Sequence, residues 1–290
     1  MDQPLVVGVD GSASSLRAVD WAVDEAARHG LPLRLVHGSL WERYEGALPP
    51  GELSFGPLPG PSAEQEAARI VVTAAAERAR RRDPALKVFP EIVPDEPADA
   101  LLRAGHDAFA VVTGSRGRGE LTGLLLGSVG LAVAARAHCP VVVVRGDRTG
   151  LTGGHERILL GAGDPATGAE AARFAYREAA ARGCALDAVR AWRRPAYDSA
   201  ETAGYHQERA SAVLQALLHD AADGHPGVRV CRATVEGPAR KVLLNRSAAA
   251  DLVIIGAQRR YGHFGLQLGR VGHTLLHHAY CPVAVVPQLV

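Results

Sequence analysis

The stretch AHCPVVVV (residues 137–144) returns nearly unchanged as AYCPVAVV (residues 279–286). A short, wholly apolar run behind a Cys-Pro pair is too brief for a buried helix and suits a strand covered on both faces. Its recurrence 142 residues later makes internal duplication the first property to follow along the chain. VVTG (111–114) pairs with VIIG (253–256) at the same offset. Nearer the amino end, VVGVDGS (6–12) faces LLGAGDP (159–165), and WAVDEAARHG (21–30) faces FAYREAAARG (174–183), both offset by 153. The first copy therefore carries about 11 extra residues in its middle, and the Pro- and Gly-rich stretch GALPPGELSFGPLPGPSA (46–63) is the predicted insertion loop. RGDRTGLTGGHE (145–156) is polar and Gly-rich and reads as a linker, which sets the expected domains at 1–147 and 154–290.

Within each copy, strand-like and helix-like segments alternate. LVVGV, LRLVH, LKVFPEIV, AFAVVTG and PVVVVR are the five strand candidates of the first copy. Between them lie a helix over SASSLRAVDWAVDEAARHG, with Leu16, Val19, Val23 and Ala26 on one stripe, and a second over AEQEAARIVVTAAAERARR. PADALLRAGH and a segment opening near Ser128 supply two more. Continuously apolar strands separated by helices predict an α/β fold with a parallel sheet covered on both faces, built twice.

Composition narrows the function classes. The chain has 290 residues, 47% hydrophobic and 22% charged, with formal net charge +1. That balance gives no reason to expect nucleic acid or a membrane surface as partner. No apolar run approaches the ~18 residues a membrane helix needs, and the amino terminus shows no signal-peptide pattern, so a cytoplasmic location is expected. None of the four cysteines lies in a CxxC pair, which argues against a zinc site and predicts buried thiols.

The chemistry concentrates in GSRGRGELTGLLLGS (114–128), which follows the fourth strand of the first copy. In open α/β sheets ligands bind beyond the carboxyl ends of the strands, where strand order reverses. Glycines there let a ligand approach the backbone, and successive N–H groups can form an anion nest. Ser128 is the predicted N-cap of the next helix, so Gly127-Ser128 would offer free N–H groups and a positive helix end. Two such donors in one crevice suit a polyphosphate. No GxxxxGK[ST] occurs, and the first βα turn, GVDGSASS, lacks GxGxxG, so neither a P-loop nor a dinucleotide site is expected. Asp10, at the end of strand one, either accepts hydrogen bonds from ribose hydroxyls or caps the first helix. Arg116 and Arg118 are equally readable as phosphate ligands and as solvated cations.

The spacing Gly114-x2-Gly117-x9-Gly127-Ser128 resembles the G-2x-G-9x-G-[ST] signature of the universal stress protein family. The opening VVGVDGS and the closing HCPVVVV resemble that family's first and last strands, and the resemblance covers nearly the whole chain as two tandem copies. It implies two flavodoxin-like (Rossmann-like) domains, each a five-stranded parallel sheet of order 3-2-1-4-5. It also implies ATP as ligand, with or without Mg²⁺. By position, Asp10 and Val36 would flank adenine and ribose, while Gly114, Gly117, Gly127 and Ser128 would hold the phosphates. The full expected site takes in Gly8, Asp10, Val36, Gly114, Ser115, Arg116, Gly117, Arg118, Gly119, Gly127, Ser128 and Val129.

The second copy departs from the pattern. Its loop reads GAQRRYGHFGLQLGR (256–270): Gly256 and Gly269 are kept, Arg259 replaces the second glycine, and Arg270 replaces the serine. Gly163 stands at the position of Asp10, with the acid displaced to Asp164. One good nucleotide site and one weak, altered or empty site are therefore expected.

Other polar clusters read as structural. RARRRD (78–83) ends a helix, where cations offset the dipole. His277 and His278 are adjacent and so diverge on a helix, and His263, His273 and His277 lack an evident acidic partner for a metal. No catalytic constellation for the γ-phosphate is visible. The expected function is a nucleotide-dependent stress-response binding protein, not an enzyme, with an adenine nucleotide and an unidentified protein as partners. The two copies should place their last strands adjacent, and two chains would pair as a homodimer. The competing readings are a nucleotide-independent scaffold and a slow ATPase or nucleotidyl-transfer enzyme, the latter lacking an HxGH-type signature here.

Overall fold

The computed structural model describes residues 3–40, 63–117, 126–194, 203–258 and 268–288. These fall into two compact units, the first from the described residues up to Gly117 together with 127–133, the second from Leu126 together with 134 onward.

The first unit starts with strand β1 (Leu5–Gly8), whose Val6 and Val7 are fully buried. Helix α1 (Ala13–His29) follows. Ser12 caps it by accepting the Ser15 N–H on its side chain at 3.1 Å, and Gly30 ends it in the left-handed conformation at φ 65°. Both ends match the signals in the sequence. Its apolar stripe, Ala18, Val19, Ala22, Val23 and Ala26, is buried. Strand β2 (Leu33–Gly38), helix α2 (Ala63–Arg82), strand β3 (Val88–Val93), helix α3 (Pro97–Ala104), strand β4 (Ala110–Gly114) and the start of helix α4 (Ser128–Arg136) complete it.

The strand order is β3-β2-β1-β4, all parallel, with Leu5 beside both Leu33 and Ala110. The chain thus leaves β1 toward β2 on one side and returns to β4 on the other. That reversal opens a crevice at the carboxyl ends of β1 and β4. The arginines that end α2 do more than offset its dipole. Arg78 forks onto Asp20 with both bonds at 2.6 Å, and Arg82 onto Asp24 at 2.6 and 2.7 Å, fastening α2 along α1.

The second unit holds β5 (Val141–Val144), the short helix α5 (Arg148–Thr152), β6 (Arg157–Gly161), α6 (Pro165–Arg182), β7 (Ala185–Trp192) and α7 (Ala203–Ala222). It continues with β8 (Val230–Glu236), α8 (Ala239–Arg246), β9 (Leu252–Gln258), α9 (Arg270–His278) and β10 (Val283–Gln288). Its parallel strands run β8-β7-β6-β9-β10, the expected 3-2-1-4-5 order. β5, the last strand of the first copy, lies beside β10 and runs antiparallel to it, with Val283 opposite Val143 and Val285 opposite Val141. The two last strands are adjacent, as the repeat predicts.

Two expectations need correction. The predicted linker is folded. Asp147 accepts the Gly150 N–H at 2.9 Å and so caps α5, while the buried Asp251 accepts the N–H groups of His155 and Arg157 at 2.9 and 3.0 Å. The polar residues that made the segment look like a tether are the ones that satisfy its backbone. The cysteines are not uniformly buried either. Cys139 and Cys281 are, but Cys231 is exposed because β8 is an edge strand. Burial pushes the Cys281 thiol far up, which leaves it inert as a nucleophile. Residues 46–62 of the predicted insertion lie outside the described residues. Among the described residues, no helix is long and apolar enough to cross a membrane.

Gly146 leads from β5 into α5 with φ at 99°, and a Cβ there would stand 2.1 Å from the Tyr280 carbonyl oxygen. Gly146→Ala is expected to lower stability by about 2 kcal/mol or more, through left-handed strain and a clash with backbone. Thermal unfolding measures it, and an unchanged midpoint would show that the link is not packed this way.

Candidate functional site

The first unit builds its crevice from two turns. After β1 the chain passes Val9, Asp10 and Gly11, the last at φ 80°, and enters α1 through Ser12. Asp10 Oδ1 accepts the Ser12 N–H at 2.9 Å, which fixes the carboxylate at the mouth of the turn. Asp10 is therefore not the helix cap, a role Ser12 holds, and its carboxylate faces the loop after β4.

That loop is pressed onto α1. A Cβ on Gly114 would lie 2.7 Å from both the carbonyl carbon and Oγ of Ser14, so only glycine fits. Ser14 Oγ accepts the Arg116 N–H at 3.2 Å and lies 3.5 Å from Ser115 Oγ. Gly117 sits against Asp10: a Cβ there would stand 2.9 Å from Oδ2. The second turn closes on the first through Gly127, whose N–H donates to the Ser115 carbonyl at 3.0 Å. A Cβ on Gly127 would lie 3.6 Å from Gly117 N.

Helix α4 then begins. The Gly127 carbonyl accepts the Leu131 N–H at 3.1 Å, so Gly127 is the cap and Ser128 the first helical residue. This moves the expected N-cap back by one position. The amides of Ser128 and Val129 are among those with no partner within the helix, and Ser128 is exposed. Asp10, Gly114, Ser115, Arg116, Gly117, Gly127 and Ser128 are thus brought to one crevice.

Two further expected residues, Gly8 and Val36, are set by packing at their Cβ positions. Gly8 serves packing, since a Cβ there would meet Leu101 Cδ1 at 2.8 Å. The Val36 side chain is 1% exposed, and its carbonyl accepts the Val9 N–H at 2.9 Å. Arg118 and Gly119 lie outside the described residues. Two residues at the crevice escaped the sequence reading. Ser14 gave a weak signal as one of three serines after Asp10. His37, which places Nδ1 2.7 Å from the Val9 carbonyl oxygen, gave none beyond its place at the end of a strand.

The second unit repeats the frame with other chemistry. Ala162 donates to the Val189 carbonyl at 2.9 Å, as Val9 does to Val36. At the position of His37 stands Arg190. Its guanidinium donates to the Gly163 carbonyl and to Asp164 Oδ1, both at 2.7 Å, and at 3.4 Å to the Ala162 carbonyl. The side chain thus lies across the end of β6 and neutralises the one acid of that turn. Arg259 lies outside the described residues, and Arg270 opens α9.

Ser14→Ala should deprive the Arg116 N–H of its acceptor. A stability loss of about 1 kcal/mol and faster hydrogen exchange at that amide are expected. Unchanged exchange would show that the loop is not held there.

The family model described as the universal stress protein family matches residues 1–145 and 154–287. A universal stress protein of Mycobacterium tuberculosis is 34% identical over 299 residues, covering 98% of this chain and 97% of that protein. A second from the same organism is 32% identical over 294 residues, covering 98% and 96%. Among solved structures, a universal stress protein from Archaeoglobus fulgidus is similar in fold, with TM-score 0.68 and 17% identity over 99% of this chain and 98% of that one.

Proposed function

Because the chain belongs to the universal stress protein family, we propose that its first copy is an adenine-nucleotide site with ATP as ligand, and that the protein acts by binding and not by turnover. The observation that carries this is the meeting of the Gly114–Gly117 backbone with the start of α4 beside a fixed carboxylate. Backbone amides at Gly117, Ser128 and Val129, with the positive end of α4, suit the oxygens of a phosphate chain, while the Gly127 N–H is spent on the Ser115 carbonyl and shapes the turn. Asp10, an acceptor at the same mouth, suits ribose hydroxyls. Arg116 is exposed next to the amides and adds a diffuse positive charge. Mg²⁺, if it accompanies ATP, would be held chiefly by phosphate oxygens and water, with Asp10 as the nearby carboxylate.

Among the described residues, neither lysine of the chain is placed to serve turnover. Phosphoryl transfer relies on a cation placed on the γ-phosphate and a group that orients the nucleophile. The chain has two lysines, Lys87 and Lys241. Lys87 precedes β3 and so lies at the amino edge of the sheet, opposite the crevice, while Lys241 belongs to α8 of the second unit.

The second copy is proposed as the non-binding member. Arg190 already occupies the carbonyls and the acid that a nucleoside would address, and position 259 carries a long side chain in place of the second glycine. A nucleotide-loaded first copy then signals to an unidentified protein partner, with homodimerisation as a second level of assembly.

Isothermal calorimetry should count one ATP per chain. Gly117→Glu, which sets a side chain and a negative charge against Asp10 and the phosphates, should weaken binding by about a hundredfold or more. Two equal tight sites, or none, would overturn the reading.

A further inference from the structure

The amide that precedes the Gly127 turn is held by a histidine from the carboxyl end of the chain. Leu126, buried, donates its N–H to Nδ1 of His277 at 3.0 Å. Gly127 follows covalently, and its own N–H is bound to Ser115. Two consecutive amides, of Leu126 and Gly127, thus fix the turn that opens α4. His277 sits on α9, and the carbonyls of Leu276 in its last turn and of Ala279 just beyond it accept from the Arg145 guanidinium. That anchoring keeps the ring in place. The arrangement is specific to one copy. At the 142-residue offset, the position of His277 in the first copy is Ala135, which offers no side-chain acceptor.

We propose that His277 is a positioning residue for the phosphate-binding turn: its unprotonated Nδ1 holds the Leu126 amide, so nucleotide affinity falls when the ring takes up a proton. This rests on the nucleotide reading of the first copy. Only a bare ring nitrogen accepts a hydrogen bond, and an imidazolium would set N–H against N–H. The ring is half-buried, so a proton can reach it.

The charges acting on His277 all oppose that proton. His273 is stacked on it with centroids 6.3 Å apart, His278 is its neighbour on α9, and Arg145 approaches from the end of β5. Burial, the largest cause, joins them in pulling its pKa below the ordinary histidine value of 6.5. The folded state therefore binds fewer protons than the unfolded one at this group. The hydrogen bond is intact above the ordinary value and is lost as the pH falls from there through the lowered one.

The test measures ATP affinity of the wild type, His277→Asn and His277→Phe at two pH values, about 8 and the lowest at which the protein stays folded, well below the ordinary histidine value. Asn places an amide oxygen near the position of Nδ1 and does not titrate, whereas Phe keeps a ring and loses the acceptor. The wild-type to H277N ratio of Kd cancels titration of the phosphates and of all other groups. It is expected to rise about two- to tenfold on acidification, the worth of one such hydrogen bond, and H277F should bind more weakly than H277N at both values. A ratio that does not change with pH, in protein that binds ATP, overturns this inference and leaves the nucleotide site standing. No ATP binding by the wild type at either pH removes the site and the inference together. Protection of the Leu126 amide in the nucleotide-free wild type should also fall between the same two values. Constant protection would overturn the inference without any variant.

Discussion

The exit of β4 grazes the first turn of α1 so closely that no side chain fits between them. A Cβ at Gly114 would lie 2.7 Å from backbone and hydroxyl atoms of Ser14, so the strand end and the helix start are in direct main-chain contact. The rest of the site follows from that contact. It delivers Arg116 N–H to the Ser14 hydroxyl and brings Gly117 against Asp10. It also leaves Ser115 able to receive Gly127. The sheet makes it possible, because β1 and β4 are parallel neighbours and the helix leaving β1 starts beside the end of β4. The glycines are required by steric distance here, not by turn propensity in general.

The duplication shows how little of a frame must change to change its chemistry. Both copies make the same bond between the residue after the first strand and the carbonyl near the end of the second. One residue further along that second strand, the first copy has His37 and the second Arg190. An imidazole that meets one carbonyl leaves the acid at the mouth to its own turn. A guanidinium is long and forked enough to span two carbonyls and a carboxylate, and so converts an acceptor-rich edge into a neutralised one.

Much of this was legible in the sequence, for identifiable reasons. Strands such as VVVV and VVTG, covered on both faces, are apolar throughout, and the helices between them carry their stripe and caps in plain sight. The repeat offsets located the copies and the insertion before any contact was known. The loop glycines were legible because spacing along the chain encodes them. What stayed hidden depends on contacts between distant segments. Whether Val36 points into the core or into the crevice is set by strand register, and the core has it. Ser14 was one serine among several until Gly114 was laid against it. The bond from Leu126 to His277 spans 151 residues, and no local pattern announces it. The segment 145–156 misled because the residues that build a compact capped turn are also those that build a tether.

The antiparallel pairing of β5 with β10 has a consequence for the length of the polypeptide itself. β5 is four valines, each nearly fully buried, and its neighbour arrives from the far end of the chain. Severed after the first copy, the polypeptide would display an all-valine edge with unsatisfied main-chain groups, an open template for misassembly. Fusion supplies the matching strand in strict one-to-one ratio and at the high effective concentration of a tether, whatever the cellular abundance of the protein. The tandem architecture thus keeps that valine edge paired within a single chain.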